Sequence, residues 1–127
     1  MNKSFELSST FFIVGRVLIG IYFLLPGISK VFLFSDNLNI VIINEVPFPT
    51  FSLSIIAITQ IVCGIWIIFG KNLKASSLSL VITTLLINFF IHDFWNLNGS
   101  PEQAHELQNF VKNLGILAGL LILSKER

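Results

Sequence analysis

Charge is what this sequence has least of. Only 12% of its 127 residues are charged and 54% are hydrophobic, whereas a soluble domain carries roughly 25% charge. That leaves too few ions to cover a water-facing surface, which excludes the ordinary soluble class and predicts a membrane protein. The net charge of +1 offers no basic surface for nucleic acid. Cysteine is almost absent as well: Cys63 stands alone, so the chain has no internal dithiol to carry electrons. Lying in an apolar stretch, it reads as a small buried hydrophobe. There is no glycine-rich phosphate loop after a strand, and no Ser, His and Asp set placed for nucleophilic attack. His92, Asp93, Glu102, His105 and Glu106 lie near one another in the chain, but at no spacing typical of metal ligands, so no metal is expected.

Long apolar runs are abundant. Four segments, at about 10–34, 51–70, 75–91 and 101–124, approach or reach the roughly 20 residues a helix needs to cross a bilayer. They predict an all-α integral membrane four-helix bundle forming one domain over 1–127. The first segment is longer than a signal core and has no small-residue cleavage site behind it, so it is read as retained. Gly70 and Lys71 mark the end of the second segment and a tight helix-helix turn. In Ser100-Pro101-Glu102-Gln103, serine is placed to cap the fourth helix and proline to open it. Ser35 or Asp36 is placed to cap a short interfacial helix that Pro47 and Pro49 would end.

The loop charges are segregated. Lys3, Lys71, Lys74, Lys125 and Arg127 flank one side, whereas the other two loops carry Asp36, Glu45, Asp93, Glu102 and Glu106 without arginine or lysine. Positive residues favour the cytoplasmic side, so both termini are expected there.

The polar residues inside the apolar runs are few enough to examine singly. Arg16, Gly20, Phe23, Gly27 and Lys30 recur at helical spacing on one face. Roughly 21 Å separates the two cations along a helix, which lets each snorkel to its own interface. The third segment has a similar face of Ser77, Val81, Thr84, Asn88 and His92, and the second offers Gln60 and Gly64. On the fourth, Lys112, Gly115, Gly119 and Ile122 share a face, with Gly115 and Gly119 at the GxxxG spacing of close helix contacts. Four helices are thus expected to aim polar groups into one outer-side cluster. Two lysines facing one space repel unless an acceptor lies between them. Asp93 is the nearest protein acceptor; a quinone carbonyl or a small anion is the ligand alternative, with Tyr22, Phe89, Phe90, Phe94 and Trp95 as walls. Helix glue and ligand binding both remain open uses of the cluster.

The ordered series Gly15-Arg16, Gly20-Ile21-Tyr22-Phe23, Pro26-Gly27-Ile28-Ser29-Lys30, Val46-Pro47-Phe48-Pro49, Gly64 to Gly70, His92-Asp93-Phe94-Trp95 and Lys112-Asn113-Leu114-Gly115 resembles the DoxX family over nearly the whole chain. The resemblance implies a four-helix bundle of the bacterial cytoplasmic membrane. It also implies kinship with the quinone-reducing subunit of an archaeal thiosulfate oxidoreductase and with proteins of membrane redox complexes. It points to Arg16, Lys30, His92, Lys112 and Asn113 as recurring polar positions. In two respects the chain departs from its relatives: Gln60 stands where many have an acidic residue, and Cys63 is unpaired where relatives with thiol chemistry have two cysteines. Thiosulfate chemistry does not carry over on that basis.

The leading expectation is a membrane protein that binds a quinone-like or anionic ligand within a membrane redox assembly. Lys30 and Lys112 would polarise the acceptor oxygen and His92 would relay a proton, with Asn88, Asn113, Gln60 and Arg16 as further candidate ligand contacts. The alternative is a non-catalytic accessory subunit of a larger membrane complex. Beyond the bilayer itself, the expected partner is another membrane protein or a second copy of the chain.

Overall fold

The computed structural model describes residues 3–127. Helices α1 (Lys3–Phe32), α2 (Phe34–Ile43), α3 (Pro49–Phe69), α4 (Leu73–Phe90) and α5 (Gln103–Leu123), with a short 3-10 turn at Phe94–Asn96, make up all its regular structure; no strand occurs among the described residues. Four of the helices are long and apolar enough to cross a membrane: α1, α3, α4 and α5. Their outward faces carry side chains such as Leu18, Phe69, Ile82 and Ile122, all well exposed on the free chain. An apolar exterior of this kind is stable only in lipid.

The closest helix contact is between α1 and α3. Gly20 and Gly64 face each other backbone to backbone, so that a Cβ added at Gly64 would lie 2.9 Å from the Gly20 carbonyl oxygen. Two turns further along α1, a Cβ at Gly27 would lie 3.0 Å from that of Gln60. Absence of side chains therefore sets the separation of these two helices. The expected GxxxG contact on α5 is not used within the chain: an added Cβ at Gly115 would meet nothing within 4 Å, and one at Gly119 only Ile19 at 3.5 Å.

The chain reverses between α3 and α4 in three residues. Gly70 takes the left-handed conformation at φ 73°, and Lys71 N–H returns to the Trp66 carbonyl at 2.8 Å. Asn72 is also left-handed and its carbonyl accepts from Ser76 N–H at 2.9 Å. Near this turn the core is apolar and dense, with Phe23, Cys63, Ile67, Leu73, Leu80, Leu120 and Leu123 packed together. Ser76 and Ser77 are buried at this end as well, and the enclosed positions toward the opposite end include the amides Asn88 and Asn113 as well as the apolar Leu53 and Ala57.

Several boundaries differ from expectation. Lipid-length apolarity marks only part of α1, which begins at Lys3 and runs unbroken through Pro26. α2 is present, but it begins after Leu33 with no side-chain cap, so neither Ser35 nor Asp36 caps it. α5 begins at Gln103 rather than Pro101 because Ser100 turns its hydroxyl to the Glu102 carboxylate, holding that carboxyl below the usual range. Gln103 spends its amide on the loop, donating to the Phe94 carbonyl at 3.1 Å and to Asn98 at 2.9 Å.

Candidate functional site

A cavity of about 430 Å³ lies at the end of the bundle away from the α3–α4 turn. α1 contributes Lys30 to its wall, α2 Asn37 and Val41, α3 Ser52 and Ile56, and the end of α4 Ile87 and His92. Among the described residues, the polar side chains in the lining are Lys30, Asn37, Ser52 and His92, and none is a carboxylate. A cation in an apolar wall without a counter-charge favours an anion or an oxygen acceptor and disfavours a cationic guest.

Lys30 has no carboxylate within ion-pair distance among the described residues. Its expected partner, Asp93, instead accepts from Asn96 Nδ2 at 2.8 Å. His92 is paired, through Nδ1, with Glu106 Oε2 at 2.6 Å, joining the end of α4 to the first turns of α5. The contact fixes the imidazole ring and leaves Nε2 as its second polar atom. Sequence reasoning weighed Glu106 as a loop charge and as a metal ligand, and missed this pair. No local spacing announces it, because the two residues meet only when the loop folds back on itself.

The remaining candidates do not join Lys30 and His92. Asn88 and Asn113 belong to a relay of hydrogen bonds across three helices: Tyr22 Oη donates to Asn113 Oδ1 at 2.9 Å, and Asn113 Nδ2 donates to Asn88 Oδ1 at 2.9 Å. Asn88 Nδ2 in turn donates to the Phe110 carbonyl at 3.2 Å. Both amides are thereby committed to packing. Arg16 lies toward the other end, where its Nη2 donates to the Ile68 carbonyl at 3.1 Å and its guanidinium sits against Gly70. A cation there complements the negative end of α3. Gln60 is buried between α1 and α3 with its side-chain oxygen unpartnered. Lys112 is exposed on α5 and is not part of the cavity wall, so the two lysines do not share one space.

The expected aromatic wall also divides. Phe90 lines the cavity. Phe89, Phe94 and Trp95 each pack edge-on against Phe110, ring centroids 5.4–6.1 Å apart, which seats the α4–α5 loop on α5. Tyr22 is in the amide relay.

Four membrane-length helices, with an apolar cavity walled by α1, α2, α3 and α4 and a lysine in that wall, define a small multi-pass membrane protein. The sequence pattern of the DoxX family matches residues 11–93, from within α1 to just beyond α4, and the chain belongs to that family. The match takes in Arg16, Lys30, Gln60, Asn88 and His92 and stops short of Lys112 and Asn113 on α5. No curated protein and no solved structure matches the chain.

Proposed function

We propose that this membrane protein binds a lipid-soluble molecule with an oxygen acceptor, a quinone or a related anion, in the cavity beside Lys30, as one component of a redox assembly in the bacterial cytoplasmic membrane. The observation that carries the reading is Lys30: a cation placed in a largely apolar cavity wall with no carboxylate within ion-pair distance among the described residues. A hydrogen bond from an ammonium group to an acceptor contributes on the order of 1.5–3 kcal/mol, enough to select such a head from the bilayer pool. Lys30 would hold the acceptor oxygen, while Glu106 keeps the His92 ring in place to give or take a proton at the cavity edge. A quinone, when bound, would supply an electron acceptor, taking two electrons from a partner protein together with two protons to become the quinol. On this reading the basic residues at the termini and at the α3–α4 turn would face the cytoplasm, as positive loop charge favours, and the cavity would lie toward the opposite side.

The test is titration of a decyl-substituted benzoquinone into the protein in lipid nanodiscs, followed by quenching of tryptophan fluorescence. Lys30→Gln is expected to weaken binding at least about tenfold. The amide relay of Tyr22, Asn113 and Asn88 favours the accessory-subunit reading for those residues, since they tie helices together. If Lys30→Gln and His92→Gln together leave binding unchanged and only lower thermal stability, the accessory reading replaces the ligand reading for the whole protein.

A further inference from the structure

The cavity lies between the halves of α3 and α4 distant from their shared turn, and these halves turn toward different neighbours. On α3, Gln60 and Ile61 press on Gly27 of α1. On α4, Asn88 is bonded to Asn113 and to the Phe110 carbonyl, both of α5. With each helix engaged elsewhere, the space between them is left to Ile55 and Ile56 on one side and Leu86, Ile87 and Phe90 on the other. Several of these wall residues also face outward: Phe51 is 68% exposed, Ile55 46%, Leu86 47% and Phe90 37%. All four lie within membrane-length spans, Pro49–Phe69 and Leu73–Asn96. Their exposed surface therefore meets acyl chains, and the gap between them opens into the bilayer. α2, which buries none of its own residues, covers the same cavity with Asn37, Ile40 and Val41.

We infer that the cavity is loaded sideways from the bilayer through the α3–α4 cleft. Its occupant is a single-tailed amphiphile whose acceptor oxygen reaches Lys30 and whose tail remains between the two helices. This deepens the ligand reading above and rests on it. A cavity of about 430 Å³ falls in the ordinary range for one small-molecule ligand, about 300–1,000 Å³, and its wall supplies one cation and no carboxylate. Quinones and fatty carboxylates share the chemistry required: an oxygen acceptor on a single apolar chain.

Two probes test the inference in nanodiscs, a benzoquinone and a fatty acid, each carrying a photoreactive group at the far end of its chain. Irradiation is expected to label Phe51, Ile55, Leu86 or Phe90, and unlabelled probe is expected to compete. Capture of either probe at the cleft supports the inference, and the order of competition tells which head is preferred. Labelling that depends on Lys30 but falls on the outward faces of α1 or α5 overturns the lateral route and leaves the site standing. Labelling indifferent to Lys30→Gln, or no capture at all, removes the site itself and the inference with it. Ile55→Trp with Leu86→Trp narrows the cleft and should slow probe uptake at least about tenfold. A folded double variant that loads at the wild-type rate overturns the route; if the pair does not fold, the labelling map of the unaltered chain decides alone.

Discussion

Asn113 accepts from one helix and donates to another, so replacing it strands two partners at once. Asn113→Ala leaves the Tyr22 hydroxyl without its acceptor and the Asn88 oxygen without its donor. Interhelical hydrogen bonds in membranes contribute about 0.6–1.7 kcal/mol each, so the variant should lose about 1–2 kcal/mol in detergent unfolding, and Tyr22→Phe less. The binding prediction at this scale separates the two lysines. Lys112→Gln should leave benzoquinone binding unchanged while Lys30→Gln weakens it, because only Lys30 lines the cavity; nanodisc titration of the two variants side by side checks it. In the sequence these lysines are alike, each a single cation in an apolar run beside small residues. Periodicity puts a side chain on a face but not on a partner, and Lys112 itself stays exposed on α5. The Asn88–Asn113 bond was hidden for a similar reason, since both residues were visible as polar positions and nothing local said that each would satisfy the other.

Helix separation follows from which glycines meet backbone. Gly64→Ala puts a Cβ 2.9 Å from the Gly20 carbonyl oxygen and 3.0 Å from Leu24 N, atoms that yield only if the helices part. A loss of about 1–3 kcal/mol is expected. Gly115→Ala meets open space and gains helix propensity, so it should be neutral or stabilising by up to about 1 kcal/mol. Thermal unfolding of the two variants in one detergent tests the pair, and an equal loss at both sites would contradict the described packing. The existence of the long helices was legible from apolar length alone, and the turn at Gly70 from its glycine and lysine. Helix starts were harder to read. Ser100 and Gln103 have the spacing of a capping box, yet the folded loop offers Gln103 the Phe94 carbonyl and the Asn98 side chain instead. Tertiary partners outbid the local motif there.

At the scale of the molecule, one end is closed and the other holds a cavity. The apolar core near the α3–α4 turn, reinforced by Arg16 on the end of α3, clamps the helices together. At the far end the amide relay and the His92–Glu106 pair hold α5 to its neighbours, while α3 and α4 leave space between them. The sequence announced that polar residues gather toward that end, because Lys30, Asn88 and His92 climb their helices to similar depth. It could not show that they divide between a packing network and a cavity wall, since that division depends on helix rotation. Native mass spectrometry of the protein released from its own membranes, beside Lys30→Gln prepared identically, probes the cavity most directly. The wild type should carry one lipid-soluble molecule with a quinone or acidic head per chain, and the variant should lose it while keeping its fold. Equal occupancy in both, or no bound molecule in either, would contradict a ligand held by Lys30.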